Sequence, residues 1–122
     1  MCKMLLSINP EHINNIFIGS KRFEFRKTIC KKDVDTIVFY ATNPIKKVVG
    51  EANVRNILID TPEKIWELTS EFSGISKYFF EEYYKNKKNA VAFQIDHVLK
   101  YQKPKTLEEL GIYRAPQSFQ YL

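Results

Sequence analysis

The chain has 122 residues, 44% of them hydrophobic and 27% charged, with a formal net charge of +5; its mean hydropathy is −0.34 and its pI about 9.2. These values describe one soluble globular domain, residues 1–122, with a single core. They exclude a membrane-spanning helix, because no apolar run approaches the ~20 residues that a span needs.

The opening MCKMLLSINPEH is too short for a signal-peptide apolar region with a cleavage site. The expected location is therefore the cytoplasm, and Cys2 and Cys30 are expected to be free thiols. Lys3–Ile8 is a short apolar run that reads as a first strand. Asn9-Pro10-Glu11 then starts a helix, with a capping Asn, a proline at the first helical position and an acid in the first turn. Ile13, Ile16 and Phe17 fall on one face of it, and Gly19 ends it.

From Arg22 the period changes to two. Phe23 and Phe25 share one face, and Arg22, Glu24 and Arg26 share the other. Thr36–Ala41, TIVFYA, is β-branched and aromatic and reads as a strand, followed by a turn at Asn43-Pro44. Lys47–Ile59 reads as one long strand, with Gly50 marking a bend or a close approach. Thr61-Pro62-Glu63 starts a second helix that points Ile65 and Leu68 inward, and Ser76 caps a third, YFFEEYY. In Ala90–Tyr101, Val91, Phe93, Ile95, Leu99 and Tyr101 share a face, with His97 among them. Thr106 and Glu109 form a capping box and Gly111 stops that short helix. The tail, RAPQSFQYL, has no clear period. Few strands alternate with helices, and strands of about 12 residues usually curl around a barrel. The expected fold class is mixed α+β: a small, mostly antiparallel β-barrel decorated by short helices.

Charge is spread unevenly. Residues 1–32 hold seven Lys or Arg against two Glu, residues 61–85 three Lys against five Glu, and residues 86–122 six Lys or Arg against three acids. If the two ends meet in space they make one positive face, which favours phosphate-bearing partners. The alternative is a set of solvated lysines.

The densest charge lies in GSKRFEFRK, residues 19–27. Gly19 to Arg26 fits the pattern G-x-K-x-x-E-x-R. Ser7-Ile8-Asn9-Pro10 stands before the first helix, Tyr40-Ala41-Thr42 with Pro44 at the next strand end, and Pro116-Gln117-Ser118 near the close. With these four segments in order over nearly the whole chain, the sequence resembles the ASCH-domain proteins of the PUA-like superfamily. The resemblance implies a PUA-like barrel with a cleft beside the helices. It also implies a ligand that is RNA, a nucleotide or a modified nucleobase. One ASCH branch hydrolyses the acetyl amide of acetylated cytidine, and ribonuclease activity is attributed to another. The amidohydrolase branch matches at Lys21 but has a nucleophilic Thr where this chain has Glu24. A carboxylate can serve as base, metal ligand or hydrogen-bond acceptor, but acyl transfer through a Thr hydroxyl is lost.

On this reading Lys21, Glu24 and Arg26 wall the cleft. An Arg fork can hold a phosphate or a base edge, and Glu24 can accept from an exocyclic amine. In an enzyme Glu24 would be the base and Lys21 the electrostatic stabiliser. The competing interpretation is an exposed i,i+2 ion pair worth less than ~1 kcal/mol. Ser7, Tyr40, Thr42, Gln117 and Ser118 are the other expected cleft groups, and Arg114 a candidate phosphate contact; strand-end and turn hydrogen bonds are their alternative role. His97 reads as a core histidine. Cys2, Cys30, His12 and His97 lack zinc-ligand spacing, and with four glycines there is no Gly-rich phosphate loop. No cofactor is expected, and a monomer is the default. YFFEEYY is read as core, with a base-stacking platform as its alternative.

Overall fold

The computed structural model describes residues 2–28 and 32–122. Its elements run β1 (Lys3–Ile8), α1 (Pro10–Ile18), β2 (Phe23–Arg26), β3 (Thr36–Ala41), β4 (Lys47–Asp60), α2 (Pro62–Thr69), α3 (Lys77–Tyr83), β5 (Ala90–Lys105) and β6 (Phe119–Tyr121). Single 3-10 turns cover Ser70–Phe72 and Glu108–Leu110. Capping chemistry sets the helix ends. The Asn9 side chain accepts from the Glu11 N–H at 2.9 Å, the Ser76 hydroxyl accepts from the Phe79 N–H at 3.1 Å, and Gly19 closes α1 at φ 91°, a conformation that only glycine adopts cheaply. The box at Thr106 forms in both directions, at 2.7 and 3.3 Å.

All six strands lie in one sheet of order β2-β5-β4-β3-β1-β6. Every neighbouring pair is antiparallel except β1 with β3. The sheet curls into a half-barrel. Among the described residues no ladder joins its edge strands β2 and β6, so a seam stays open there. Register shifts recur where β4 pairs with β5, and such bulges increase local twist.

Alternation sorts the core. Met4, Leu6 and Ile8 of β1 and Ile37, Phe39 and Ala41 of β3 pack with Ile13 and Ile16 of α1 and with Val91, Phe93 and Ile95 of β5. On the other side of β2 and β5, Phe23, Phe25, Ala90 and Ala92 pack against Ile65, Phe80 and Tyr84 from the two later helices. A third cluster joins Leu5, Val38, Tyr40, Val48 and Ile112.

Several expectations change. Leu68 faces outward, 54% exposed, and the inward face of α2 is carried by Ile65 and Thr69, with Trp66 packed beside them. The alternation of β5 fails at His97, which takes φ 50° and is exposed, as are Val98 and Leu99. The reason is topological: β2 pairs only with residues 91–94 of β5, so the far half of β5 has β4 alone beside it. His97 is thus a surface residue, with Nδ1 3.0 Å from Asp96. In YFFEEYY, Phe80 and Tyr84 are core whereas Tyr78 and Phe79 are exposed. The tail holds an unforeseen strand, β6, whose three residues pair with β1. Cys2 is a free thiol; Cys30 lies outside the described residues.

Candidate functional site

Between α1 and β2 the chain is held on both sides. The Lys21 N–H donates to the Asn15 carbonyl at 3.1 Å and the Arg22 N–H to the Phe72 carbonyl at 2.8 Å, and Lys21 bridges to Ser73. Lys21 is consequently 2% exposed. Its Nζ donates to the Ser73 carbonyl at 2.9 Å, stands 4.8 Å from the Phe25 ring centroid and lies 3.9 Å from Glu24 Oε1. Gly74 makes room for it. At φ +70° a Cβ there would sit 2.5 Å from Lys21 Cβ, so both the dihedral and the contact demand glycine.

The charged face of β2 turns inward. Glu24 pairs in register with Phe93 and Arg26 with Val91, both members of the inner cluster. Glu24 is 6% exposed and accepts from Arg26 Nη2 at 2.8 Å. The guanidinium then crosses the seam, donating to the Ser7 carbonyl at 3.3 Å and the Ser118 hydroxyl at 3.4 Å. This is a buried Lys–Glu–Arg cluster, not an exposed i,i+2 pair. With all three ionised it holds one surplus positive charge, in a medium where Coulomb terms are strong.

A cavity of about 150 Å³ opens over this cluster, lined also by Ser7, Asn9, His12, Phe79 and Tyr83. The His12 ring meets Phe79 edge-on at 5.7 Å. Phe79 and Tyr83 lie parallel, 6.5 Å apart, and the Tyr83 hydroxyl donates to the Phe25 carbonyl at 3.3 Å. Burial, and then the Lys21 charge, lower the His12 pKa, which keeps the imidazole neutral at neutral pH. Burial likewise pulls the Lys21 pKa down; Glu24 opposes this and Arg26 adds to it.

The Lys21 shift sets a pH dependence. The unfolded chain holds the Lys21 proton up to about pH 10.5, higher than the folded chain does. Between the two values the unfolded state binds more protons, so this group makes stability rise with pH. Lys21→Met is expected to flatten that rise. The variant should unfold no earlier than wild type near neutral pH, because an apolar stem replaces a desolvated ammonium while Glu24 keeps Arg26. Urea titrations of both proteins from neutral pH to about pH 10 check this, and the difference between them cancels the tyrosines.

Of the residues singled out in the sequence, the structure brings Ser7, Lys21, Glu24 and Arg26 together around the cavity and sets Ser118 against Arg26. Tyr40 is buried in the third core cluster. Thr42 donates its N–H to the Ile8 carbonyl at 3.1 Å. Arg114 and Gln117 are exposed, although the neighbouring Pro116 carbonyl accepts from the Ser7 hydroxyl at 2.6 Å. His12 and Asn9 were not foreseen as cavity residues, whereas Phe79 and Tyr83 come from YFFEEYY, for which a stacking platform was the alternative to core. The available signal was that His12 lies one helical turn beyond the Ser7-Ile8-Asn9-Pro10 segment.

Residues 5–113 match a family described as "Domain of unknown function (DUF365)". Over 120 residues the chain is 34% identical to large ribosomal subunit protein uL22 of Ureaplasma parvum; the match covers 98% of this chain and spans 39% of that protein's length. An ASCH domain-containing ribonuclease of Zymomonas mobilis is 29% identical, over 97% of this chain and 82% of its own. A crystal structure of ASCH from Zymomonas mobilis superposes with a TM-score of 0.89 at 26% identity, over 98% of this chain and 87% of that one.

Proposed function

The chain belongs to the DUF365 family and is an ASCH-domain protein, and from that premise we propose that its cavity binds single-stranded RNA by taking up one base. The observation that carries this reading is the buried Lys21–Glu24–Arg26 cluster at the bottom of an aromatic-walled cavity. Phe79 and Tyr83 offer ring faces and edges to a base. Glu24 accepts from an exocyclic amine and Arg26 donates to a ring carbonyl. The surplus positive charge favours the polyanion, as do the basic residues around the opening: Lys27 sits 4.5 Å over the Tyr83 ring. Ser7 and Ser118 orient Arg26, and Tyr40, Thr42, Arg114 and Gln117 lie further along the strand ends and tail. The relative named a ribonuclease supports RNA as the ligand class. No helix among the described residues is long and apolar enough to cross a membrane, and an RNA ligand fits a cytoplasmic place of work.

Binding to a labelled single-stranded RNA, followed by anisotropy, tests this. Arg26→Ala should weaken it about tenfold or more, since a charge-assisted contact is lost. Lys87→Ala, on the exposed turn after α3, should change it little. Wild-type affinity should fall as salt rises. Equal losses from the two variants would leave only a diffuse charge attraction.

A second reading is hydrolysis in the same cavity. It is favoured by an ammonium whose pKa is lowered, 3.9 Å from a carboxylate, an arrangement suited to proton transfer. Glu24 would take the proton of an attacking water or hydroxyl, Lys21 would stabilise the developing oxyanion, and the leaving oxygen or nitrogen would take that proton back from Glu24 as its P–O or C–N bond breaks. The substrate would be a phosphodiester of RNA or an acylated exocyclic amine on a base.

A further inference from the structure

Two buried side-chain polar atoms lack a hydrogen-bond partner among the described residues, His12 Nδ1 and Arg26 Nε. Both belong to residues that line the same cavity. Buried polar groups are paired in the great majority of cases, so two orphans on residues that line one cavity mark where a ligand can supply the missing partners. Arg26 Nε–H can only donate, so the ligand presents an acceptor there. His12 Nδ1 donates or accepts according to its tautomer, so the ligand presents a complementary polar atom there. Cavities of about 150 Å³ hold one benzene-sized ring. A flat ring with an acceptor beside a second polar atom describes the edge of a pyrimidine base.

We propose that His12 is a specificity-determining residue of this cavity, its Nδ1 reading the polar edge of a single-ring base whose neighbouring acceptor meets Arg26 Nε–H. The inference rests on the RNA-binding reading. His12 lies on α1 and is held edge-on by Phe79 of α3, so two elements fix the imidazole before any ligand arrives. Lys21 and Glu24 of the cavity floor and Glu11 of the same helix are the charged groups that act on it. Burial and the Lys21 charge, against the two carboxylates, keep it a neutral hydrogen-bonding group instead of a third cation.

The test is fluorescence anisotropy with 2′-fluoro octamers of uridine, cytidine and adenosine, which cannot be cleaved through a 2′-hydroxyl. Wild type is expected to prefer the two pyrimidine octamers. His12→Phe keeps a ring against Phe79 but removes the nitrogens; it should bind the pyrimidine octamers about tenfold more weakly and lose the preference over adenosine. His12→Gln should recover part of both, and thermal melts of the two variants confirm folding. Pyrimidine binding by His12→Phe at wild-type strength overturns the inference. If Arg26→Ala still weakens binding in that case, the RNA-binding reading survives alone. A wild-type preference for the adenosine octamer also overturns the inference. Failure of wild type to bind any of the three overturns both readings.

Discussion

Glu24→Gln is expected to lower hydrolysis about 10²-fold or more while RNA affinity stays within a few-fold of wild type. The amide keeps the size of the carboxylate and an oxygen that can accept from Arg26, now 2.8 Å away. It cannot take a proton. Removing the negative charge leaves Lys21 and Arg26 uncompensated, so a polyanion should bind equally well or more tightly. The same loss should cost stability, since breaking a buried pair by changing one partner typically costs about 3–5 kcal/mol; circular dichroism must accompany the assay. The substrates are a mixed RNA ladder and acetylated cytidine, each with and without a chelator. Turnover of neither by wild type removes the hydrolytic reading and leaves the binding one. Equal turnover by wild type and Glu24→Gln assigns the product to a contaminant.

Phe80→Ala is expected to destabilise the protein by about 3–5 kcal/mol, a large share of the ~5–15 kcal/mol typical of a domain. Phe80 is 2% exposed and its ring touches Phe25, Trp66 and Tyr84 at 5.3, 4.9 and 4.8 Å. It therefore ties β2, α2 and α3 into the second cluster. Phe80 does not line the cavity, but it anchors the helix that carries Phe79 and Tyr83. RNA affinity should fall only along with the melting temperature, whereas Phe79→Ala, which removes a wall of the cavity, should weaken binding beyond any loss of stability. A Phe80→Ala protein that melts like wild type would show that α3 is held by other contacts.

The fold was legible wherever local chemistry decides. Caps at Asn9, Thr61 and Ser76 placed the starts of the three α-helices to within a residue or two, Gly19 the end of α1, and Thr106 with Gly111 the last helical turn; the end of α2 and the turn at Ser70–Phe72 carried no signal. Apolar and β-branched composition placed β1 and β3, and alternation placed the core of the first half of β5. It failed at His97 because no local signal tells that a strand has lost its outer neighbour, and it missed β6 because three residues carry no readable period. At the candidate site, period two put Glu24 and Arg26 on one face. It could not say that this face turns inward, since that depends on the curl of the sheet and on Arg26 crossing the seam to Ser7 and Ser118. His12 was invisible for a related reason. Its neighbours Phe79 and Tyr83 lie some 70 residues away in the chain, and only the docking of α3 brings them together.

The central claim is that RNA enters the cavity over Lys21, Glu24 and Arg26, as opposed to lying along the basic outer half of β5. An amide NMR titration of the uniformly labelled protein with a uridine octamer tests it directly. The account predicts that the largest shifts fall at His12, at residues 21–26 and at residues 75–83, while those of Lys100, Lys103 and Lys105 stay small. Shifts concentrated on Lys100 to Lys105, with the cavity residues unmoved, would contradict it.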